Sequence, residues 1–571
     1  MSDDATAIVI IAPRFTDLAR FGGASVEAKL QVMTRWGVPA SLTNLDTIVN
    51  SPLANPPLGR GLQGAGPMAA YYLESFFKRR GYRAQSVTGW EDRAALERAM
   101  RADPVALLLS TTFITDPGVL VACLRELREV AGATPILVGG PFVYKQMRLL
   151  RHGPESRRAA ALAAFDVDDD TDRLFTARSD PALDGCVFVA DPQGERTALR
   201  VLERLSRGAR GAAALADLPN LVLSDGAGGW TATARSPEPV DLDGEYTRWD
   251  LIDGAPAVVP IRTALGCDGR CRFCGFRTLH PHLVLRSVDS VVAELRLAAA
   301  RGGAFVNFVD DDVFAPAGRG RALAEAFARA ELAVLWGGFL RPDRVTEDDA
   351  RLCAAAGFRF GIAGVESGSP AQLERMGKRM DPAAAARGVE ALAAHGVGVD
   401  ATFIVGFPGE TAETLDETAA LLNGLASGLP GCAHFELYPF KLVPGTEADT
   451  PLFRRRFGLR GRNAAWSHDT MTSREVVELH IPRLFAAVTA TPYYHGDADA
   501  PAWWSAERRD RAFRHRAALT RGFLARTDDA GIQALFAPLW RDVADEARAA
   551  SAPPWRELLA DRDGQPGGRA A

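Results

Sequence analysis

Between residues 258 and 440 short apolar runs alternate with longer amphipathic ones, and this rhythm limits the chain to few architectures. The apolar runs lie at 258–264, 304–309, 333–338, 359–365, 398–405 and 434–440. Helical spacing fills 287–301, 319–331, 346–356, 383–395 and 411–425. Runs that are apolar on both faces suit parallel strands covered by helices, and each parallel step needs a crossover. Six strands alternating with helices predict a partial (β/α)6 barrel. Its chemistry then belongs at the C-terminal ends of the strands, as in full barrels.

A second α/β series precedes it. Ala7-Ile8-Val9-Ile10-Ile11-Ala12 reads as a buried parallel strand, and Met68 to Arg80 as an amphipathic helix stopped by Gly81. Val105 to Leu109 is a strand running into Ser110-Thr111-Thr112, followed by a helix from about Pro117 to Val130. Pro135 to Phe142 is a strand that ends in a glycine turn. These units predict a doubly wound, Rossmann-like sheet that binds ligands beyond Pro13-Arg14, Ser110 to Thr112 and Gly139 to Phe142. The Ala-, Arg- and Asp-rich stretch from Arg151 to Asp184 shows no clear period. A strand at 186–190, a helix to about Arg207 and short strands between Leu218 and Arg235 complete the series.

The polar, proline-bearing passage Pro237 to Ala257 is the best boundary. The expected domains are therefore 1–240 with a linker to about 257, the barrel at 258–449, and a helix-rich region at 450–571. That last region carries Trp466, Tyr493, Tyr494, Trp503, Trp504 and Trp540, and its tail from Asp561 should be disordered. A length of 571 residues suits two to four domains.

A formal charge of −5 with interspersed signs offers no basic face, so nucleic acid is not expected. No apolar run approaches the ~20 residues of a membrane span. The start Met1-Ser2-Asp3-Asp4 is unlike a signal peptide. Seven cysteines, an odd number, argue against a disulfide framework, and a soluble cytoplasmic enzyme is the expectation.

Three of those cysteines stand together, in Gly266-Cys267-Asp268-Gly269-Arg270-Cys271-Arg272-Phe273-Cys274-Gly275. Soft thiolates select zinc or iron–sulfur clusters. A structural zinc site wants a fourth ligand, for which His280 and His282 are the nearest candidates. Three thiolates can instead hold three irons of a cubane and leave the fourth iron open. Cys123, Cys186, Cys353 and Cys432 are scattered among apolar residues and read as small core side chains.

The C-x3-C-x2-C loop, with Phe273 before its last cysteine, resembles the signature of radical S-adenosylmethionine (SAM) enzymes. The resemblance implies that Cys267, Cys271 and Cys274 hold a [4Fe-4S] cluster whose open iron chelates SAM. It extends over most of 258–445. Phe308-Val309-Asp310-Asp311-Asp312 ends the second strand, where the family meets SAM's amino group, so Asp310 is implied there. Arg341, in Leu340-Arg341-Pro342-Asp343, could offset SAM's carboxylate. Glu366 and Ser367, in Gly364-Val365-Glu366-Ser367-Gly368-Ser369, would face its ribose and methionine portion. Ile404, before Gly406-Phe407-Pro408-Gly409-Glu410, would touch adenine, with Tyr438 near the adenine edge.

The domain in front resembles the cobalamin-binding domain of class B members, on Ser110-Thr111-Thr112-Phe113 and Val138-Gly139-Gly140-Pro141-Phe142. It lacks the Asp-x-His-x-x-Gly motif that ligates cobalt from below, since its first histidine is His152. The resemblance implies no histidine on the lower face, with Arg60 and Gln63 as candidates to cover it. It also implies a methyltransferase: one SAM methylates cobalt, and a second yields the 5'-deoxyadenosyl radical that activates a carbon. Polar methyl transfer without a radical is the variant.

The tail around Trp466 to Met471 looks like those of members acting in natural-product biosynthesis, so the substrate should be a small molecule or peptide. The electron donor should be flavodoxin or ferredoxin. A methylthiotransferase would need further amino-terminal cysteines. A cyclase or rearrangement enzyme, and a non-catalytic cobalamin sensor, are the alternatives. His468 reads as a capping or surface histidine.

Overall fold

The computed structural model describes residues 6–13, 18, 37–38, 53, 66–88, 93–151, 165, 173–175, 180–225, 229–253, 256, 258–303, 305–427, 433–492, 504 and 506–549. Arg14, Arg60, Gln63, His152, Cys432, Tyr493, Tyr494, Trp503 and the tail from Asp561 lie outside the described residues. The chain divides into two compact units, Met1–Glu27 with Gly66–Gly254, and Ala28–Ala65 with Ala255–Ala571.

In the first unit seven strands form one sheet: β1 (Ala7–Ile11), β2 (Arg83–Val87), β3 (Ala106–Ser110), β4 (Ile136–Gly139), β5 (Cys186–Val189), β6 (Leu221–Ser224) and β7 (Trp230–Ala232). Their order is β2-β1-β3-β4-β5-β6-β7. The first five are parallel, and β6 and β7 add an antiparallel hairpin at one edge. The apolar runs of β1 and β3 are buried along their whole length, as central parallel strands must be. Winding reverses between β1 and β3, which makes their C-terminal ends a topological switch point.

Two elements differ from the expectation. β2 was hidden because its polar residues alternate on an edge strand. The strand expected to reach Phe142 stops at Gly139, because Pro141 starts the helix Pro141–Arg151. Proline favours that first helical position, where its missing N–H costs nothing.

The second unit is built on β8 (Val258–Ile261), β11 (Phe305–Phe308), β12 (Leu335–Leu340), β13 (Phe358–Glu366), β14 (Gly398–Val405), β15 (Ala433–Pro439) and β19 (Thr491–Pro492). All pair in parallel, in the order β19-β15-β14-β13-β12-β11-β8. The sheet is open, a partial barrel. A two-residue ribbon, β9 (Ala264–Leu265) with β10 (Val284–Leu285), flanks the cysteine loop. The expected six strands and five helices are present. The short helix Pro370–Met376 and the seventh strand β19 are additions.

The two faces of this sheet differ in chemistry. Trp336 on β12 is fully buried against Phe308, Phe327 and Phe358 on the helix side. Its indole N–H donates to the Ala356 carbonyl at 3.0 Å, which satisfies the one polar group in that packing. On the opposite face β14 and β15 carry Asp400 and His434, register partners that are both buried.

The helix Ala506–Leu524 reaches this polar pair. Arg509 donates to Asp400 at 2.7 Å and lies 4.2 Å above the Phe360 ring. Asp510 stands 3.4 Å from His434, and Phe513 packs edge-on against the imidazole. The region beyond 449 therefore contributes side chains to the barrel interior. It also carries a small antiparallel sheet, β16 (Arg460–Arg462), β17 (Ala465–His468) and β18 (Met471–Thr472).

This buried charge network should set part of the unit's stability. Burial opposes both ions, but Arg509 and His434 outweigh it and hold Asp400 below the ordinary carboxylate range. Burial likewise opposes the His434 imidazolium, yet Asp400 and Asp510 raise its pKa above the usual 6.5. The Asp400 contribution is lost as pH falls below 3.8 through its folded pKa. The His434 contribution is lost as pH rises above 6.5 through its folded pKa. The thermal midpoint should therefore be highest between those limits. Arg509→Met, which strands the Asp400 charge, should cost about 3–5 kcal/mol in denaturant unfolding.

Candidate functional site

The three cysteines follow β9 at the C-terminal end of the first barrel strand, and the thiols are free and half-buried. A loop without regular structure needs outside bracing to present three sulfurs together. The first brace is Asp310, buried at the end of β11. Its carboxylate accepts from the amides of Thr263 (2.7 Å) and Ala264 (2.9 Å), and from the Thr263 hydroxyl. The second is Arg272, within the loop. Its amide donates to the Met376 carbonyl at 2.8 Å, and its guanidinium reaches the Glu374 and Arg375 carbonyls and Glu447. The third is close backbone approach. A Cβ on Gly377, which has φ of +69°, would stand 2.9 Å from the Arg270 carbonyl. Phe273 completes the docking edge-on to Phe407, which packs against Phe440 and Phe453.

The sulfurs meet donors from their own loop. The Gly269 amide points at Cys267 Sγ at 3.3 Å. A Cβ on Gly269 would lie 3.3 Å from that sulfur and 3.9 Å from Cys271 Sγ, so a bare backbone suits the space between them. Burial pushes the Cys274 thiol up to about 11, and raises Cys267 and Cys271 as well. Thiols held protonated this way release their protons on binding iron. The donor set of three soft sulfurs on one braced loop fits a [4Fe-4S] cluster with one open iron. His280 and His282 do not complete a zinc set. Among the described residues, the grouping with metal-like spacing is Cys267, Asp268 and Asp312. Arg344 already serves both of its carboxylates, at 2.6 and 3.4 Å.

Around the thiols the strand ends bring charge. Glu366 has φ of +72° and follows a register shift between β13 and β14. A non-glycine residue held there is strained, and such bulges re-aim side chains at functional sites. Its carboxylate accepts from Lys378 at 2.8 Å, deep in the protein. Burial disfavours the Lys378 ammonium, but Glu366 and the Cys271 sulfur nearby keep its pKa raised. Arg341 lies beside the cysteine loop with its guanidinium bound by Asp343 at 2.8 and 3.1 Å and by the carbonyls of Lys378 and Arg379. Ile404 and Tyr438 are register partners, side by side on β14 and β15.

Other expected site residues hold the scaffold together. Ser367 is buried, bonded to Thr418 and to the Ser369 amide. Asp312 accepts from the amides of Phe314 and Arg341. His468, expected at a cap or on the surface, is instead buried, stacked on Trp466 and bonded to the Gly406 carbonyl after β14. Lys378 and Thr263 had no sequence signal of their own, because their partners are 12 and 47 residues away.

At the switch point of the first unit, Thr111 is buried, and its hydroxyl donates to the Gly139 carbonyl at 2.8 Å. A Cβ on Gly140, which has φ of +111°, would stand 2.9 Å from Thr111 Oγ1. Ser110 and Phe142 are buried, and Ser110 pairs its hydroxyl with Thr112 at 2.9 Å. Thr112, Gly139, Gly140 and Pro141 keep exposed surface.

Two substitutions separate ligation from bracing. Cys271→Ala should abolish cluster assembly, read as loss of iron and sulfide after anaerobic reconstitution. Asp310→Ala keeps every sulfur but strands the Thr263 and Ala264 amides, at about 2–3 kcal/mol. It should give partial iron loading and faster cluster loss in air.

Residues 261–422 match the Radical SAM superfamily model. The anaerobic magnesium-protoporphyrin IX monomethyl ester cyclase of Rubrivivax gelatinosus is 25% identical over 220 residues, covering 37% of this chain and 40% of that protein. A ribosomal protein uS12 methylthiotransferase RimO of Kineococcus radiotolerans is 27% identical over 211 residues, covering 34% and 42%. The chain thus spans about 40% of the length of these curated relatives. The radical SAM methyltransferase TsrM of Kitasatospora setae, solved with cobalamin and a [4Fe-4S] cluster, shares the fold. Its TM-score is 0.55 at 14% identity, over 96% of this chain and 100% of that one. TsrM with tryptophan and a SAM analogue gives 0.51 at 17%, over 78% and 75%. Residues 261–422, which carry the braced three-cysteine loop at the mouth of the barrel, thus match the radical SAM superfamily, and the chain shares with TsrM the fold of a doubly wound domain that precedes a partial barrel in sequence.

Proposed function

We propose that the protein is a cobalamin-dependent radical SAM methyltransferase acting on a small-molecule or peptide precursor. The observation that carries the reading is the braced loop of three free thiols at the C-terminal end of the first barrel strand. The cluster and cobalamin supply reductive SAM cleavage and a methyl carrier when bound. Cys267, Cys271 and Cys274 would hold the cluster. Lys378 and Arg341 place positive charge beside it, and Asp343 and Glu366 temper that charge. Ile404 and Tyr438 offer adjoining side chains for an adenine ring.

Cobalamin fits the switch point of the first unit. Thr112 offers a hydroxyl for amide arms, and Gly139 and Gly140 let a bulky ring approach the backbone. The fold likeness to TsrM, which was solved with cobalamin, supports this placement. Within residues 1–254 the single histidine is His152, so a strand-end histidine does not ligate cobalt from below. The likeness to a cyclase favours a second reading, the same cofactors used without methyl transfer.

Anaerobic reconstitution with iron, sulfide, cobalamin and SAM tests the proposal. One corrin should co-elute per chain, and a methylated substrate should form with S-adenosylhomocysteine. Equal S-adenosylhomocysteine and 5'-deoxyadenosine would mean radical transfer, and S-adenosylhomocysteine alone polar transfer. Failure to retain corrin, or 5'-deoxyadenosine with no methyl gain, would sink the methyltransferase reading.

A further inference from the structure

The turn that leaves β14 has little rigidity of its own and is held from outside. Gly406 has φ of +90°, in a region where glycine moves freely. Its amide donates to the Glu410 carboxylate, and its carbonyl accepts from His468 Nε2 at 3.2 Å. The next carbonyl, of Phe407, accepts from Gln372 Nε2 at 2.8 Å. A Cβ on Gly406 would stand 2.7 Å from the Trp466 ring and 2.5 Å from Val476, so the region beyond the barrel packs directly on this backbone. His468 comes from that region, 62 residues after the peptide it holds.

The imidazole is fixed at both nitrogens. Nε2 faces a carbonyl and therefore carries the proton, which leaves Nδ1 as an acceptor. Nδ1 faces the Thr470 amide at 3.4 Å and the Thr470 hydroxyl at 3.1 Å. The ring is buried and stacked on Trp466 at 5.1 Å, with 5° between the planes. Trp466 packs on Phe440, and its indole N–H donates to the Phe440 carbonyl at 2.8 Å, just beyond β15. Phe440 meets Phe407, and Phe407 meets Phe273 between the second and third cysteines. Aromatic contacts thus run unbroken from His468 to the cysteine loop. They pass the ends of β14 and β15, near the paired residues Ile404 and Tyr438.

We infer that His468 is a positioning residue for SAM. It acts through the Gly406 peptide, which fixes the end of β14 against the cysteine loop. The inference rests on the reading that the thiols hold a cluster and that Ile404 and Tyr438 take the adenine ring. SAM must reach the cluster and the adenine wall at once. A turn that drifts therefore weakens binding even when each place is intact. The thiols keep their own braces at Asp310 and Arg272, so cluster loading is independent of His468.

The test uses the full chain reconstituted anaerobically with iron, sulfide and cobalamin, and SAM itself as the probe. Equilibrium dialysis gives the Kd for SAM, and the change SAM causes in the reduced cluster's EPR signal is titrated in parallel. His468→Leu fills the space without a donor and should raise both midpoints about tenfold. Iron content and the SAM-saturated signal should stay as in wild type. His468→Gln restores an N–H toward Gly406 and should bring the Kd back to within about threefold of wild type. Thr470→Val, at an exposed position, loosens the hold on Nδ1 and should raise the Kd about threefold. Unchanged affinity in His468→Leu, or equal weakness in the Leu and Gln variants, would overturn the inference. If His468→Leu does not fold, Thr470→Val decides, and a wild-type Kd there overturns it. Wild type whose iron-loaded form binds no SAM would instead remove the reading beneath.

Discussion

The site depends on one buried carboxylate. Asp310 accepts three hydrogen bonds from Thr263 and Ala264 and so fixes where the chain leaves the first barrel strand and where the cysteine loop begins. Burial raises its pKa even with those donors in place. The arrangement is stable only because each buried polar group finds its partner. The loop has no ladder of its own, so its remaining order comes from Arg272 and from the close approach at Gly377. Three sulfurs at fixed spacing are thus a tertiary product, assembled by groups up to 175 residues apart in the chain.

The charges around the thiols follow a consistent scheme. Arg341 is neutralised by Asp343, Arg344 by Asp268 and Asp312, and Lys378 by Glu366. Paired ions of this kind keep geometry under control in a low-dielectric pocket, where a lone charge would be costly. Glu366 also accepts a backbone conformation with positive φ, a local cost that the surrounding barrel offsets.

Much of the barrel was legible because its strands are apolar on both faces and its helices follow period. The expected strand at 398–405 is β14, with the same ends, and the helix expected at 383–395 differs by one residue. What escaped had weak local signal: β2 alternates polar residues on an edge, and β19 has two residues. The roles of single site residues were less legible. Asp310 and Ser367 read as ligand contacts by resemblance, and both spend their side chains on backbone and hydroxyl partners within the protein. The tail read as helical and aromatic, but nothing in its sequence announced that Arg509 would enter the barrel and meet Asp400, 109 residues earlier.

By itself the sequence determined the order of the main strands and helices, the parallel class of the central strands in both sheets and the three-thiol donor set. Each of these is written in local spacing: period two or unbroken apolar runs, period 3.6, and C-x3-C-x2-C. The tertiary structure alone decided which charged groups face the thiols, which are consumed in bracing the loop, and that a distant helix completes the barrel interior. Those outcomes depend on register and on crossings between segments far apart in the chain, where no local pattern records which partner a side chain will find.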